Sequence, residues 1–594
     1  MRHSTVNIFS GRLTAFGTLA AVLRPGCSIT EFLGCQILVR GYLADRNALR
    51  RQLGLDPVGQ LSDSEILAHA FRRWGQELQA HVNGEYAAVI LDLSAGAALL
   101  THDALGLMPL FFSHRNDGLS FATHLADLVD VATSDTLDAE YLADFLVFGG
   151  VTSERTPYPS VKRLLPGQSL WWSDGRLRQI RSWNLADVPP LRCRDDAEYE
   201  EQFRGLLHSG VQAALAPAGA TCIALSGGLD SSSIACVAAG CQARDLVAYS
   251  IVCPGWPEVD EQRWMQAVVD RCNLSWEKVD MESVLPFAVL PSDFQGEPSQ
   301  AAVDEKQIRT QEEVLASRGI TIMLNGHGGD TVLGASTGAV PAHLADPLFD
   351  GKPITALRAV RHWKEDSQEQ RSYFYWVVRT LLQPALDHLR ARQVRGADRR
   401  SPVCPWIKRA YATEMRLEQR ARQRLTPRCD HPGRQSLWNS LWTMSLAMNA
   451  ALQRRTSFEL RAPLLYRPLV EFMSGIPWEQ KLQPRCDRYL QRRALKGVLP
   501  EIVRRRASKA SGNPAIVEGL RRSRDWVAFL CDSPVMAERE IVDADQWRQA
   551  VRQASVGQTH GDRYFLACVV VEAWLKQLRE YRKQLVASAA LTAS

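Results

Sequence analysis

No stretch of this 594-residue chain approaches the ~20 consecutive apolar residues that a membrane-spanning helix needs, so no membrane partner is expected. The apolar segment Leu13 to Leu23 is too short, Gly17 interrupts it, and Arg24-Pro25-Gly26 stands where a cleaved signal would have small residues; it reads as a buried strand. The 13 cysteines include no Cys-x-x-Cys and no Cys/His cluster at zinc spacing, which excludes a zinc module and leaves reduced core thiols, as in a cytoplasmic protein. Net charge is only +5, too little for a nucleic-acid binder. What is present is ordinary globular composition, 46% hydrophobic and 23% charged, in a chain too long for one core. Two or three domains follow.

The chemistry concentrates in Ala224-Leu225-Ser226-Gly227-Gly228-Leu229-Asp230-Ser231-Ser232-Ser233. Cys222 to Leu225 reads as a buried strand and Ile234 to Ala239 as the first turns of a helix, so the loop sits at a helix N-terminus. Unpaired N–H groups and the helix dipole favour an anion there, and Gly227 and Gly228 carry no Cβ to hold a phosphate away. Serine hydroxyls add donors, and Asp230 can hold the Mg²⁺ that a polyphosphate brings. This is not a Walker A loop, because the spaced glycines followed by Lys and Ser/Thr are missing. A second strand-and-turn, Ile320-Thr321-Ile322-Met323-Leu324-Asn325-Gly326-His327-Gly328-Gly329-Asp330, again ends in a carboxylate. Leu246 to Val252 and Trp276 to Val279 read as further strands alternating with helices, which predicts a doubly wound α/β sheet binding ligands at its strand ends. Residues 1–185 alternate short apolar runs with turn signals and predict a β-rich layered domain; Asp187 to Asp196 reads as the linker, and about 345–590 as mostly helical.

The glycine loop resembles the S-G-G-x-D-S pyrophosphate loop of the ATP pyrophosphatase superfamily, whose members cleave ATP between the α and β phosphates to adenylate a substrate. His81-Val82-Asn83-Gly84-Glu85-Tyr86, with Thr101-His102-Asp103-Ala104-Leu105-Gly106-Leu107-Met108-Pro109-Leu110, is similar to the glutamine amidotransferase domain of asparagine synthetases. The 320–330 segment looks like that family's L-S-G-E-G-S-D turn, Phe458-Glu459-Leu460-Arg461-Ala462-Pro463-Leu464-Leu465-Tyr466 its V-E-x-R-x-P-F-L-D, and Arg488 to Lys509 the stretch ending in a lysine that reaches the α-phosphate. The resemblance implies an N-terminal Ntn-type, layered β-sandwich domain over 1–185, a linker over 186–196, and an α/β ATP pyrophosphatase domain with a large helical part over 197–594. It implies ATP and Mg²⁺, with Asp230 and Asp330 holding the metal. Leu225 and Ile251 would flank adenine; Ser226, Gly227, Gly228, Ser231, Ser232, Asn325 and Gly326 would bind the nucleotide; Lys509 would act on phosphate charge.

The departures shape the expected function. The family's glutaminases need a cysteine directly after the initiator methionine, so that thiol and α-amine act together, and here Arg2 and His3 stand there. The N-terminal domain is therefore expected to release no ammonia. His327 replaces the glutamate of asparagine synthetases and the tyrosine of β-lactam synthetase, and reads equally as a general base or as a pocket wall. Tyr466 replaces an aspartate and is given no catalytic role. With these changes the chain looks most like the lasso peptide cyclases, ligases that adenylate a side-chain carboxylate and join it to the peptide's own α-amine as a macrolactam. That resemblance implies a precursor peptide as substrate, with a leader-recognition protein and a cysteine-protease-like leader peptidase as partners. A β-lactam-synthetase-like or ammonia-using ligase is the alternative enzyme, and an inactive binding scaffold the alternative class, against which Asp230, Asp330 and Lys509 argue.

Overall fold

The computed structural model describes residues 8–14, 19–23, 29–56, 59–115, 118–129, 136–241, 245–334, 340–366, 371–390, 403–506, 513–558 and 563–593. The N-terminal part is two antiparallel sheets. One runs Leu19–Leu23, Phe9–Thr14, Gly118–Ala122, Phe111–Arg115, Lys162–Arg163; the other runs Arg176–Arg181, Gln168–Ser173, Ala97–His102, Gly84–Asp92, Cys35–Leu43, Thr30–Phe32. Phe9, Leu13 and Phe121 of the first meet Leu38, Val89, Leu100 and Trp172 of the second in a buried layer. The second sheet's other face is covered by the helix Asp63–Trp74 through Ile66, Leu67, Ala70 and Phe71. Gly84–Asp92 is buried on both sides and so reads as a nearly continuous apolar run instead of an alternating one. The helix Asp63–Trp74 starts with a capping box, Ser62 and Glu65 each accepting from the other's backbone N–H. The layered β-sandwich is thus as expected. Leu13 to Leu23 differs from expectation: it contributes to two paired strands, Phe9 opposite Leu23 and Leu13 opposite Leu19, because the chain reverses within the apolar segment.

The second part holds a five-stranded, all-parallel sheet in the order Ser275–Asp280, Leu246–Val252, Thr221–Ala224, Ile322–Leu324, Glu459–Arg461. The helices Leu229–Gly240 and Gln262–Cys272 pack on one face with Ile234, Ala235, Met265 and Val268, and Glu305–Ser317 covers the other with Leu315. Strand order reverses between Thr221–Ala224 and Ile322–Leu324. Loops leaving two such strands diverge to opposite faces and open a crevice, where doubly wound proteins bind ligands. The two carboxylate turns found in the sequence leave these two strands.

The last strand of the sandwich ends at Arg181, a 3₁₀ turn follows at Leu185–Asp187, and the first α-helix beyond it is Asp196–Ala214. Residues 340–593 are mostly helical, as expected, with Trp438, Trp442, Trp526, Trp547 and Trp574 buried in a core that continues into the sandwich through Phe111, Tyr141 and Tyr158. A fully buried ion pair, Arg163 with Glu297, crosses the junction, and Tyr141 Oη donates to the same Glu297 at 3.0 Å. Asn449 Nδ2 donates to the carbonyls of Gly106 and Leu107, fixing the sandwich's buried loop to the helical part. Among the described residues no helix is long and apolar enough to cross a membrane.

Candidate active site

Gly227 adopts φ +71°, open to glycine at little strain, and a Cβ there would press on Trp264 and the Glu261 carbonyl. The turn it permits sends the chain from Thr221–Ala224 into the helix Leu229–Gly240, whose N-cap Gly228 has no side chain to satisfy the first-turn N–H groups. Ser231 Oγ closes the loop, accepting from Ser226 N at 3.1 Å and lying 3.0 Å from Ser226 Oγ. Ser232 Oγ is fully buried without a hydrogen-bond partner. The donors are thus presented at a helix N-terminus, as a phosphate requires.

The second turn leans on the first. A Cβ on Gly329 would lie 2.4 Å from Asp230 Cγ, and one on Gly328 would lie 2.3 Å from Leu465 Cδ2. Gly329 lets the two carboxylate turns approach, and Gly328 lets the second turn pack on Leu465. Asn325 Oδ1 accepts from His327 N at 2.9 Å and shapes the turn, while its buried Nδ2 has no protein partner.

Asp230 and Asp330 converge on one cation. Arg488 donates Nε to Asp230 Oδ1 at 2.9 Å and Nη2 to Asp230 Oδ2 at 2.8 Å, and the same Nη2 pairs with Asp330. Burial pushes the Asp230 carboxyl above its usual range, against the pull of Arg488. Burial works against the Arg488 charge as well, and the surrounding carboxylates outweigh it, so its pKa is raised. Two carboxylates that already face a guanidinium form a donor set suited to a hard divalent cation. Among the described residues no cluster of three or more His, Cys, Asp or Glu could hold a metal, so phosphate oxygens and water would complete its shell.

A cavity of about 490 Å³ lies over these groups, lined by Ser226, Asp230, Asn325, His327, Asp330 and Arg506 among others. His327 opens to this cavity, and the protein around its ring lowers its pKa through desolvation. A second cavity, of about 350 Å³, shares Ala224 and Ser226 and is lined by Leu225, Tyr249, Ile251, Trp256, Met265 and Pro514. Its apolar walls fit a purine as the first fits a triphosphate. A third, of about 220 Å³, shares Asp330 and Thr331 and is walled by His343, Leu437, Trp478 and Lys481.

The structure therefore brings together Ser226, Gly228, Asp230, Ser231, Asn325, Gly326, His327 and Asp330 at the phosphate end and Leu225 and Ile251 at the base end. Gly227 forms the turn without lining a cavity, and Ser232 lies behind the loop. Lys509 lies outside the described residues, as do Arg2 and His3. Arg506, three residues before Lys509, lines the phosphate cavity, donates to the Gly227 carbonyl at 3.2 Å and pairs with Glu261. Sequence reasoning assigned no role to Arg488, Arg506 or Gln491, the last donating to Asp230 at 3.3 Å and to Ser233 Oγ. All three lie in the Arg488 to Lys509 stretch, whose resemblance points only to its final lysine, and arginines in such a basic run usually mean a solvated face. Tyr466, given no catalytic role, donates to Asp45 of the sandwich at 2.5 Å.

The sandwich motif is held by one contact to the second domain and by contacts within the sandwich. Glu85 Oε1 accepts from Ala462 N at 2.8 Å and from Tyr42 Oη at 3.0 Å, and Asn83 Nδ2 donates to Asp45. Burial raises Glu85 and Asp103 each to about 7.

A two-layer sandwich joined to a doubly wound sheet, with a glycine loop and paired aspartates at the switch point, defines an ATP-dependent amide-forming ligase. The chain belongs to the asparagine synthase family: a family profile described as asparagine synthase matches residues 202–576, and one described as a glutamine amidotransferase domain matches residues 31–183. It is 24% identical over 494 residues to asparagine synthetase [glutamine-hydrolyzing] 3 of Bacillus subtilis, covering 78% of this chain and 73% of that protein. It is 23% identical over 480 residues to asparagine synthetase [glutamine-hydrolyzing] 1 of the same organism, with the same shares. Against asparagine synthetase B of Escherichia coli it is 25% identical over 227 residues, 38% of this chain and 36% of that one.

Proposed function

We propose that the ligase closes a macrolactam within a lasso peptide precursor, in the cytoplasm. A side-chain carboxylate of the peptide attacks the α-phosphorus of ATP, pyrophosphate leaves, and the peptide's α-amine displaces AMP from the acyl group. The observation that carries the reading is the third cavity, which meets the phosphate cavity at Asp330 and Thr331 and is walled by Leu437, Trp478 and Leu482. Its walls mix Leu437, Trp478 and Leu482 with His343, Ser436, Ser440 and Lys481, and beside the phosphate cavity such a chamber suits part of a peptidic acyl donor better than free aspartate alone. His327 at the rim is the side chain placed to accept the amine's proton, and desolvation lowers its pKa, which keeps the ring unprotonated at some cost in basicity.

Asp230, Asp330, Asn325 and the N–H groups after Gly228 would bind the triphosphate, with Asp230 and Asp330 holding Mg²⁺. The metal supplies charge neutralisation on the departing pyrophosphate. Lys509 is assigned to phosphate charge in both half-reactions. The leader-recognition protein and leader peptidase belong to the same proposal, since the α-amine must first be freed by cleavage.

The test is incubation of the purified enzyme with ATP, Mg²⁺ and a synthetic core peptide. The expected products are AMP, pyrophosphate and a peptide lighter by one water. Amide formation with ammonia or on a free small-molecule β-amino acid, and none with peptide, would favour the β-lactam-synthetase-like or ammonia-using alternative.

A further inference from the structure

The helical part carries an arm whose outer surface is apolar. The helix Pro353–Asp366 lies beside a second helical run made of Tyr373–Val377, a π-helical turn Val378–Leu382, and Gln383–Leu389. Their inner faces are ordinary core: Ala356, Val360 and Leu381 join Val340, Leu344 and Leu482, with Trp363, Trp376 and Trp478 packed against them. The outer face carries a second apolar row, Phe374, Val378, Leu382, Leu386 and Leu389, with Ile354 and Leu357 on the neighbouring helix. Phe374 is 74% exposed and Leu389 58%.

This row is built, not scattered. Side chains four apart drift round an α-helix by ~40° per step, and the wider π turn takes that drift back, keeping the row on one line. A helix apolar on both faces is the pattern of a buried helix, and an exposed run of large apolar side chains marks an interaction site.

Charge indicates what covers it. Residues 350–390 hold seven Lys and Arg against five Asp and Glu, a positive excess of two. A second copy would bring the same excess against itself. The narrow row suits a helix seam better than a bilayer surface. Two helices ~25 Å long and ~20 Å wide together offer on the order of 500 Å², below the ~800 Å² per partner of a stable complex. The contact is therefore transient. The arm also reaches the active site: Trp363 and His343 flank Trp478, each with ring centroids 6.1 Å from it, and His343 and Trp478 wall the cavity that ends at Asp330.

We propose that this face docks an acidic amphipathic helix of another polypeptide, held transiently beside the acyl-substrate cavity. The probe is a labelled synthetic helix of about five turns with leucines at three- and four-residue spacing and glutamates on its flanks, beside a twin carrying lysines instead. By fluorescence anisotropy the glutamate helix should bind at micromolar Kd, the lysine twin about tenfold or more weakly, and Val378→Ser/Leu382→Ser should weaken the glutamate helix about tenfold or more. The serine pair should leave the circular dichroism spectrum and the MgATP-induced rise in Tm as in the parent, since both side chains are solvent-facing. No binding of the glutamate helix, equal binding of both probes, or an unaffected serine variant would overturn the proposal. So would association with phosphatidylserine vesicles, or self-association in the ultracentrifuge, that the serine pair abolishes, because each assigns the face to a different occupant.

Discussion

Arg488 holds Asp230 with two parallel hydrogen bonds, Nε to Oδ1 at 2.9 Å and Nη2 to Oδ2 at 2.8 Å, across 258 positions of sequence. The same guanidinium pairs with Asp330, so the two carboxylates that face the triphosphate site already share a positive partner. Arg488→Ala should leave Asp230 buried beside Asp330 with no compensating charge, a strongly destabilising arrangement. Millimolar Mg²⁺ should then raise the variant's Tm by more than it raises the parent's. Equal rises in the two proteins would show that the cation does not replace the guanidinium.

Asp230→Asn and Asp330→Asn should each lower substrate-dependent pyrophosphate exchange by a factor on the order of 10² or more, since each removes charge from the metal-holding pair. Gly329→Ala should give a similar loss with Asp230 unchanged in sequence, because the new Cβ would fall 2.4 Å from Asp230 Cγ. Exchange at the parent rate in Gly329→Ala would mean that the two turns need not approach for catalysis.

His327 and Lys509 should fail differently. Lys509→Ala should depress both pyrophosphate exchange and ring closure. His327→Ala should leave exchange largely intact while ring closure falls, and the defect should ease as pH rises toward the α-amine's reference range of about 7.7–8.0. Desolvation lowers the His327 pKa, so in the parent the base stays available at pH values below the ordinary ~6.5. Ring closure by His327→Asn with the parent's pH profile would remove the imidazole from the proton transfer.

The sandwich should not hydrolyse glutamine. Glu85, at the heart of its Asn83-Gly84-Glu85 motif, is engaged by Ala462 N and Tyr42 Oη, and the assay is glutamate release by purified protein. Release that disappears when one cysteine is replaced would restore a glutaminase.

Stability should fall as pH rises through this junction. Glu85 and Asp103 are raised to about 7 by burial, so the folded protein keeps protons that the unfolded chain gives up near pH 4. Their contribution is present in full below the unfolded pKa and is lost progressively until pH passes about 7. Glu85→Gln should flatten that decline, gaining stability on the order of 1–3 kcal/mol at pH 8 and little at pH 5. A melting-temperature profile parallel to the parent's between those pH values would show that the carboxyl is not the titrating group.

Much of the site is legible locally. Gly227, Gly228 and Asp230 after one apolar run, and Gly326, Gly328, Gly329 and Asp330 after another, announce themselves because a phosphate loop needs backbone freedom and a carboxylate within a few residues of a strand end. The parallel sheet follows from the alternation of such runs with helices, and the sandwich from its turn-separated short strands. Only tertiary structure placed Arg488 between the two aspartates, set Arg506 on the Gly227 carbonyl, and turned Glu85 and Tyr466 into contacts between domains. Those partners lie 158 to 421 residues apart and leave no periodic trace. A guanidinium in a basic run reads the same whether it faces water or a buried carboxylate, and folding alone decides which. The exposed row from Phe374 to Leu389 is the converse case, since its sequence reads as core and only packing shows that nothing in the described chain covers it.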